Sequence, residues 1–213
     1  MELINEFWKS IEGKSKCTQL ERYEKHKSPE HIKKFIAIGG GPKMGTILEQ
    51  FARFKFANLN KRNKGGKTET GYDHIIKNGE NGDCIYVEQK SSGHWGEEDY
   101  KWQHVEVNHK WHMLLLCGID YTDIKFWGMS KETFKKLISE KKITNQGNKA
   151  GDSSEGMWFN YSDVKTYLVE IKNENDLIQF AKLLNIQESS VQESSIQESQ
   201  VEESSAQSSL QDT

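Results

Sequence analysis

Asp73, Glu88 and Lys90 are the residues whose types and spacing carry the most chemistry in this chain. A Glu-x-Lys step on a strand puts both side chains on one face, because strand side chains alternate with a period of two. Tyr72-Asp-His-Ile-Ile-Lys77 and Asp83-Cys-Ile-Tyr-Val-Glu-Gln-Lys90 read as two strands, and the Asn78-Gly-Glu-Asn-Gly82 link between them holds two Asn-Gly pairs, strong hairpin chemistry. A hairpin that pairs Lys77 with Cys84 sets Asp73 opposite Glu88, so two carboxylates and an ammonium converge. Paired carboxylates with a backbone carbonyl suit Mg²⁺, which takes hard oxygen ligands and keeps waters for chemistry. Such an ion would acidify a bound water and neutralise charge on a phosphate in transit, and Lys90 would orient that water or help deprotonate it.

The Glu-x-Lys spacing alone carries little, since it occurs four times: Glu12/Lys14, Glu88/Lys90, Glu140/Lys142 and Glu170/Lys172. The last, in Leu-Val-Glu-Ile-Lys, also reads as strand and is the serious competitor. It lacks an Asp on a neighbouring hairpin strand, whereas the 88/90 pair has Asp73, the hairpin, and Ser91-Ser-Gly93 directly after it. The plain alternative is a surface strand with alternating charges.

Gly71-Tyr72-Asp73, followed 15 residues later by Val87-Glu88-Gln89-Lys90-Ser91-Ser92, resembles the PD-(D/E)XK nuclease superfamily, and within it the type II restriction endonucleases. The supporting context is Gly41-Pro42-Lys43-x-Gly45 leading to Leu48-Glu49, then Trp102-Gln103-His104-Val105, Leu114–Ile119, and Gln146-Gly147 ahead of Gly156-Met-Trp-Phe159. It covers roughly residues 38–185. The superfamily's name-giving Pro is replaced by Tyr72, at a position that varies. The resemblance implies an α/β fold: a restriction-endonuclease-like core with a mixed sheet of four to five strands flanked by helices. It makes Asp73 and Glu88 metal ligands, gives Gln89 a carbonyl on the metal, and makes Lys90 the water-positioning residue. It also brings Glu49 to the metal from the preceding helix and places Gln103 beside the site as a supporting polar group. The implied activity is Mg²⁺-dependent cleavage of double-stranded DNA at a short specific site, by a homodimer because two strands need two active sites. A cognate DNA methyltransferase on a separate chain would protect the same site.

These residues need elements to hold them. Residues 1–38 read as an N-terminal helical segment, with Leu3, Phe7, Trp8 and Ile11 at helical spacing, and residues 39–186 as the nuclease domain. Gly39-Gly40-Gly41-Pro42 breaks the chain, and Pro42 suits the first position of a helix running to Ala57 with Met44, Ile47, Leu48, Phe51 and Phe54 recurring every three or four residues. Trp102 to Val107 is ambiguous. Strands are expected at His112–Ile119, Asp123–Met129 and Lys165–Ile171, a helix N-capped by Ser130, and a last helix over Glu174–Leu184. Two polar stretches read as loops. Lys55 to Lys67 carries Lys61, Arg62, Lys64 and Lys67 for phosphates; Thr144 to Gly156 offers Asn145, Gln146, Asn148 and Lys149 for base edges.

Composition narrows the classes. No run approaches 18 apolar residues, the first residues lack the layout of a secretory signal, and three scattered cysteines argue for an intracellular, reducing compartment. The net charge of −3 hides an asymmetry: residues 187–213 carry six acidic residues and no Lys or Arg, so the rest holds 29 basic against 26 acidic groups. That permits a polyanionic partner without demanding one. The tail repeats Gln-Glu-Ser-Ser-aliphatic units that cannot repay the entropy of ordering them, and is expected to be disordered. No Cys-x-x-Cys or His-Glu-x-x-His spacing supports zinc, although His104, His109 and His112 leave a His-ligated metal protein as an alternative. A repair, nicking or junction-resolving nuclease of the same fold would use the same residues on a different DNA. A non-catalytic DNA-binding protein gives no reason for the Asp73, Glu88 and Lys90 trio.

Overall fold

Met113-Leu-Leu-Leu-Cys-Gly-Ile119 is apolar at every position and every one of its residues is buried, which requires a layer on each face of the strand. A computed structural model describes residues 19–38, 41–62, 71–78, 83–96, 99–145 and 156–184, and shows both layers. In chain order the elements are α1 (Gln19–Lys25), α2 (Glu30–Ala37), α3 (Gly41–Lys55), β1 (Leu59–Lys61), β2 (His74–Asn78), β3 (Asp83–Gly93), β4 (Lys101–Val105), β5 (Met113–Ile119), β6 (Ile124–Ser130), α4 (Lys131–Ser139), β7 (Thr144–Asn145), β8 (Met157–Asn160), α5 (Tyr161–Val164), a 3₁₀ turn (Lys165–Tyr167), β9 (Val169–Glu170) and α6 (174–184).

The architecture is mixed α/β. The main sheet has six strands in the order β1-β2-β3-β5-β6-β9, and only the β3–β5 pairing is parallel. A second sheet, β4-β8-β7, has three. The main sheet is therefore larger than the four to five strands expected, because the edge strand β1, in sequence that reads as loop, adds to it. The second sheet comes from sequence that had read as ambiguous (Trp102 to Val107) or as loop (Thr144 and Asn145).

Side-chain alternation on β5 separates two cores. Met113, Leu115, Cys117 and Ile119 meet the helical layer, with Tyr23, Ile32, Ile36, Leu48, Ala52 and Leu177. Leu114 and Leu116 face the second sheet and α4, among Trp102, Trp111, Trp127, Phe134 and Phe159. Residues 19–37 thus belong to the main core; Tyr23 and Ile32 are as buried as the sheet residues they cover. Residues 1–18, with the expected amphipathic Leu3–Ile11 helix, lie outside the described residues, as does the repeat tail. Among the described residues no helix is long and apolar enough to cross a membrane.

Three local expectations are met and two corrected. The β2–β3 register pairs Lys77 with Cys84 and His74 with Val87. Ser130 caps α4, its side chain accepting from the Thr133 N–H at 3.1 Å. The helix expected to start near Pro42 is α3, and its Leu48 and Ala52 are fully buried. Lys165–Ile171 is not one strand but a 3₁₀ turn and the two-residue β9. Lys55 to Lys67 is not one loop: α3 runs through Lys55, and Leu59–Lys61 forms β1, the edge strand antiparallel to β2.

Candidate active site

β3 outruns its partner. Its ladder with β2 begins at Asn78↔Asp83 and closes at His74↔Val87, while β3 continues to Gly93 along β5. Beyond Val87 the β2-side edge of β3 is free of ladder partners, and Asp73 turns into it. The Asp73 N–H donates to the Val87 carbonyl at 2.9 Å, and the Asp73 carboxylate accepts from the Gln89 N–H at 2.9 Å. N–H and C=O of one strand residue point the same way, so the Gln89 carbonyl opens onto the edge that Asp73 occupies. Gly71 sets up this turn: its φ of +118° is a glycine conformation, and a Cβ there would stand 2.6 Å from the Cβ of His109.

A cavity of about 460 Å³ lies against this edge. Asp73, Lys90 and Gln89 line it from the hairpin, Glu49 and Thr46 from α3, and Gln103 and Lys101 from β4. Of the five residues expected to be catalytic, Asp73, Lys90, Glu49 and Gln103 stand on its wall. Glu88 is set back from the wall, 6% exposed, and reaches it through Lys90, whose Nζ lies 2.6 Å from the Glu88 Oε1. A bulge supports the β4 side: the β4–β8 register shifts between Trp102 and Val105, and His104 adopts a φ of +59° there. Bulges of this kind re-aim side chains next to sites, and here Gln103 and His104 are turned to the cavity.

The electrostatics are those of carboxylates short of positive charge. Burial, with the nearby Asp73 and Glu88 adding to it against the pull of Arg53, pushes the Glu49 carboxyl up to about 7. Burial also raises Glu88, with Asp73 adding to the shift and Lys90 opposing it. Glu49 thus feels both other acids, and Glu88 feels Asp73. Among the described residues no three His, Cys, Asp or Glu side chains come close enough together to hold a metal ion. Mg²⁺ asks for less, being held through one or two carboxylates with waters and substrate phosphates completing its shell. Asp73, Glu88 and the Gln89 carbonyl are oxygen donors of that kind, and a divalent cation would relieve the repulsion that Asp73 exerts on Glu88.

Several contributors escaped the sequence reading. Arg53 sits 3.9 Å from Glu49 and bonds the Nδ1 of His74 at 3.0 Å; His74 in turn donates from Nε2 to the Gln89 Oε1 at 2.9 Å. Burial drives the His74 pKa down to about 4, which keeps the ring neutral and able to accept from Arg53 on one nitrogen while donating from the other. This chain ties α3 to β2 and β3 and fixes the Gln89 segment. The i,i+4 spacing of Glu49 and Arg53 was the visible signal. Lys101 is the other omission: its Nζ lies 3.9 Å from the centre of the Trp158 ring and 5.2 Å from that of Trp95. The tryptophans hold that ammonium at the cavity wall.

The proposed DNA contacts fare unevenly. Lys61 is exposed on β1. Arg62 is no loop residue reaching outward: its N–H donates to the Asp73 carbonyl and its guanidinium to the Tyr72 carbonyl, both at 3.3 Å, so it braces the Asp73 turn. Asn145 lies on β7, paired with Met157, and lines a separate cavity of about 80 Å³. Lys64, Lys67, Gln146, Asn148 and Lys149 lie outside the described residues. The competing Glu170 and Lys172 pair with each other at 3.1 Å at the sheet edge, 45% and 69% exposed, and neither lines the cavity.

Compared with family models, with curated proteins and with solved structures, the chain finds no match. What can be said of its activity therefore stands on the site.

Proposed function

We propose that the chain is a Mg²⁺-dependent endodeoxyribonuclease of the PD-(D/E)XK kind, with a restriction-endonuclease-like core, that hydrolyses phosphodiester bonds of double-stranded DNA at a short specific sequence. The observation that carries this reading is the convergence of Asp73, Lys90 and Glu49 on one open cavity at a sheet edge, with the buried Glu88 bonded to Lys90 behind it. A purely structural role leaves unexplained why two buried acids with raised proton affinity, Glu49 and Glu88, are gathered with Asp73 beside an opening.

In this reading Asp73, Glu88 and the Gln89 carbonyl hold Mg²⁺, with Glu49 reaching it directly or through water. The ion supplies an acidified water and neutralises phosphate charge. Lys90, held by Glu88, orients the attacking water. Lys101 and Gln103, on the β4 wall, hold the phosphate in place; Lys61, with Lys64 and Lys67 further along the chain, carries the neighbouring phosphates. Cutting both strands calls for two such sites, hence a homodimer, and a methyltransferase of the same specificity as its partner in the cell.

The test is incubation of the purified protein with unmethylated phage-length DNA and Mg²⁺, beside EDTA and Glu88→Ala controls. Discrete fragments, lost in both controls, are expected. A smear with the same dependence would retain the chemistry and remove the sequence specificity. Cleavage that survives Glu88→Ala would refute the site, and absence of cleavage on several unmethylated DNAs would refute the activity.

A further inference from the structure

α3 has a wider apolar face than the core covers. Leu48 and Ala52 are fully buried, and Met44 and Phe51 pack half-buried at their side, Phe51 against the rings of Phe35 and Phe126. The next two apolar side chains round the helix are left in water. Ile47 is 37% exposed and Phe54 89%, the most of any large apolar side chain among the described residues. At 3.6 residues per turn these two stand on one line along the helix, two turns apart. Lys43 and Gln50, both exposed, flank that line on the side away from the core.

The spacing says what fits this face. Met44, Ile47, Phe51 and Phe54 recur at steps of three, four and three, the seam spacing of paired helices. Such a seam matches itself. With a second α3 laid antiparallel about a two-fold axis level with Glu49, each Ile47 meets Phe51 of the other copy and each Phe54 meets its Met44. All four layers are then apolar, and the outer two place a thioether against a ring. Charge selects the antiparallel order. A parallel pair would set Lys43 against Lys43, whereas the antiparallel pair holds the two about 18 Å apart along the axis, beyond the screening length of roughly 8 Å. Thr46 and Glu49, which line the catalytic cavity, point away from the seam and stay free.

We propose that a second copy of this chain docks here, α3 against α3 and antiparallel, with Phe54 of each copy over Met44 of the other. Two-fold contacts of this kind use one patch twice. The cavities then stand on the outer flanks of the helix pair. Helix axes about 8–10 Å apart bring the two Glu49 side chains within about 20 Å of each other, one site for each strand of a duplex. That last link rests on the nuclease reading; the interface does not. One helix face is smaller than the roughly 1,200–2,000 Å² of a stable interface, so the free protein dimerises weakly and only at high concentration.

The experiment is sedimentation equilibrium of the full chain in EDTA, from micromolar to submillimolar concentration. A monomer–dimer equilibrium is expected for the unmodified chain. Phe54→Glu and Met44→Lys are each expected to weaken it by roughly tenfold or more. An equimolar mixture of the two variants is expected to regain it, because in the mixed pair the substituted positions face each other with opposite charge and the other Phe54–Met44 layer is intact. The proposal is overturned if the unmodified chain stays monomeric throughout, if Phe54→Glu associates as tightly, or if mixing restores nothing. Phe54→Glu should also leave the melting temperature of the dilute monomer within error, since the ring is in water there. A fall would mean that another segment of the same chain covers the patch, and would overturn the proposal as well. Neither metal nor DNA enters the test. A dimer that cuts no DNA would sink the nuclease reading alone, and cleavage by a protein without this dimer would sink the interface alone.

Discussion

Glu88-Gln-Lys90 and Glu170-Ile-Lys172 have the same spacing, and both pairs bind internally, at 2.6 and 3.1 Å. Their surroundings differ in every other respect. Glu88 stands on a strand that runs through the sheet interior, with 8% of its side chain exposed, within the field of Asp73 and behind an open cavity. Glu170 ends a two-residue edge strand with 45% of its side chain in water. Water solvates the second carboxylate whatever its partner does. The first has Lys90, with a smaller pull from His109, against the cost of burial and a neighbouring acid, and that deficit is what the proposed cation would relieve. The motif is common; the chemistry comes from where the fold puts it.

The sharpest way to break this comparison is to remove one lysine from each pair. Lys90→Met is expected to lower the Mg²⁺-dependent cleavage rate by roughly 10²–10⁴-fold, the usual range for a group that handles the proton of the nucleophile. Lys172→Met is expected to leave the rate within error. Equal effects from the two, in single-turnover cleavage of one DNA, would sink the assignment of the site to the first pair.

A metal titration gives the next largest effect and needs no substrate. Mg²⁺ held by Asp73 and Glu88 should raise the melting temperature with concentration. At a hundred times its dissociation constant the gain is about 2.7 kcal/mol, or about 5–10 °C for a chain of this size. Asp73→Asn should abolish the rise and Glu170→Gln should retain it. A rise of equal size in Asp73→Asn, read by calorimetry, would place the ion elsewhere.

The difference between the pairs also marks what could be read from residues alone. Two Asn-Gly steps marked the hairpin, and the register pairing Lys77 with Cys84 is the one that keeps Ile76, Ile85 and Val87 on the buried face, since a one-residue slip would turn that face to solvent. The convergence of Asp73, Glu88 and Lys90 followed from that register, and Glu49 from the family resemblance. The second sheet did not follow. Lys101–Val105, Thr144–Asn145 and Met157–Asn160 are short, bulged and far apart in sequence, and they find their ladder only against one another. Arg53, His74 and Lys101 were missed for a related reason. Their roles come from partners on other elements — Gln89 on β3, the rings of Trp95 and Trp158 — that no local pattern announces.

Glu49 at the cavity and Asp120 just past β5 should also answer pH with opposite signs. Glu49 has its folded pKa raised to about 7, from a reference of 4.5. Between those values the folded chain holds the proton that the unfolded chain has lost, so Glu49 makes stability fall as pH rises from 4.5 through 7. Glu49→Gln should flatten that slope, and saturating Mg²⁺ should oppose it by favouring the ionised carboxylate. Asp120 runs the other way. Burial alone would raise it, but hydrogen bonds from Lys125, His94 and the Tyr121 N–H outweigh burial and hold it below its reference of 3.8. Its contribution is therefore present above 3.8 and lost as pH falls through the depressed folded value, and Asp120→Asn should remove that part of the acid sensitivity. Urea unfolding between pH 3 and pH 8 separates the two windows. Finding the Glu49→Gln slope unchanged between pH 5 and 7 would mean that the cavity solvates its acids as fully as hydrogen bonds compensate Asp120.

The smallest effect belongs to the exposed pair. Glu170 and Lys172 are both mainly in water, so their Coulomb attraction is screened and offset by the entropy of holding two long side chains together. Glu170→Ala should cost no more than about 0.5 kcal/mol in urea unfolding, and that little should vanish in about 1 M salt. The corresponding change at Glu88 has two parts of opposite sign. It leaves the Lys90 ammonium without its partner, which destabilises, and it removes a buried carboxylate that repels Asp73 and Glu49, which stabilises. Because the proposed cleavage needs the acids and folding is burdened by their repulsion, Glu88→Gln should destroy activity while preserving or raising stability without metal. At Glu170 the same substitution should change neither. A protein in which Glu88→Gln lost stability and activity together would be using that carboxylate as a structural ion pair, and the contrast between the two pairs would then be one of burial alone.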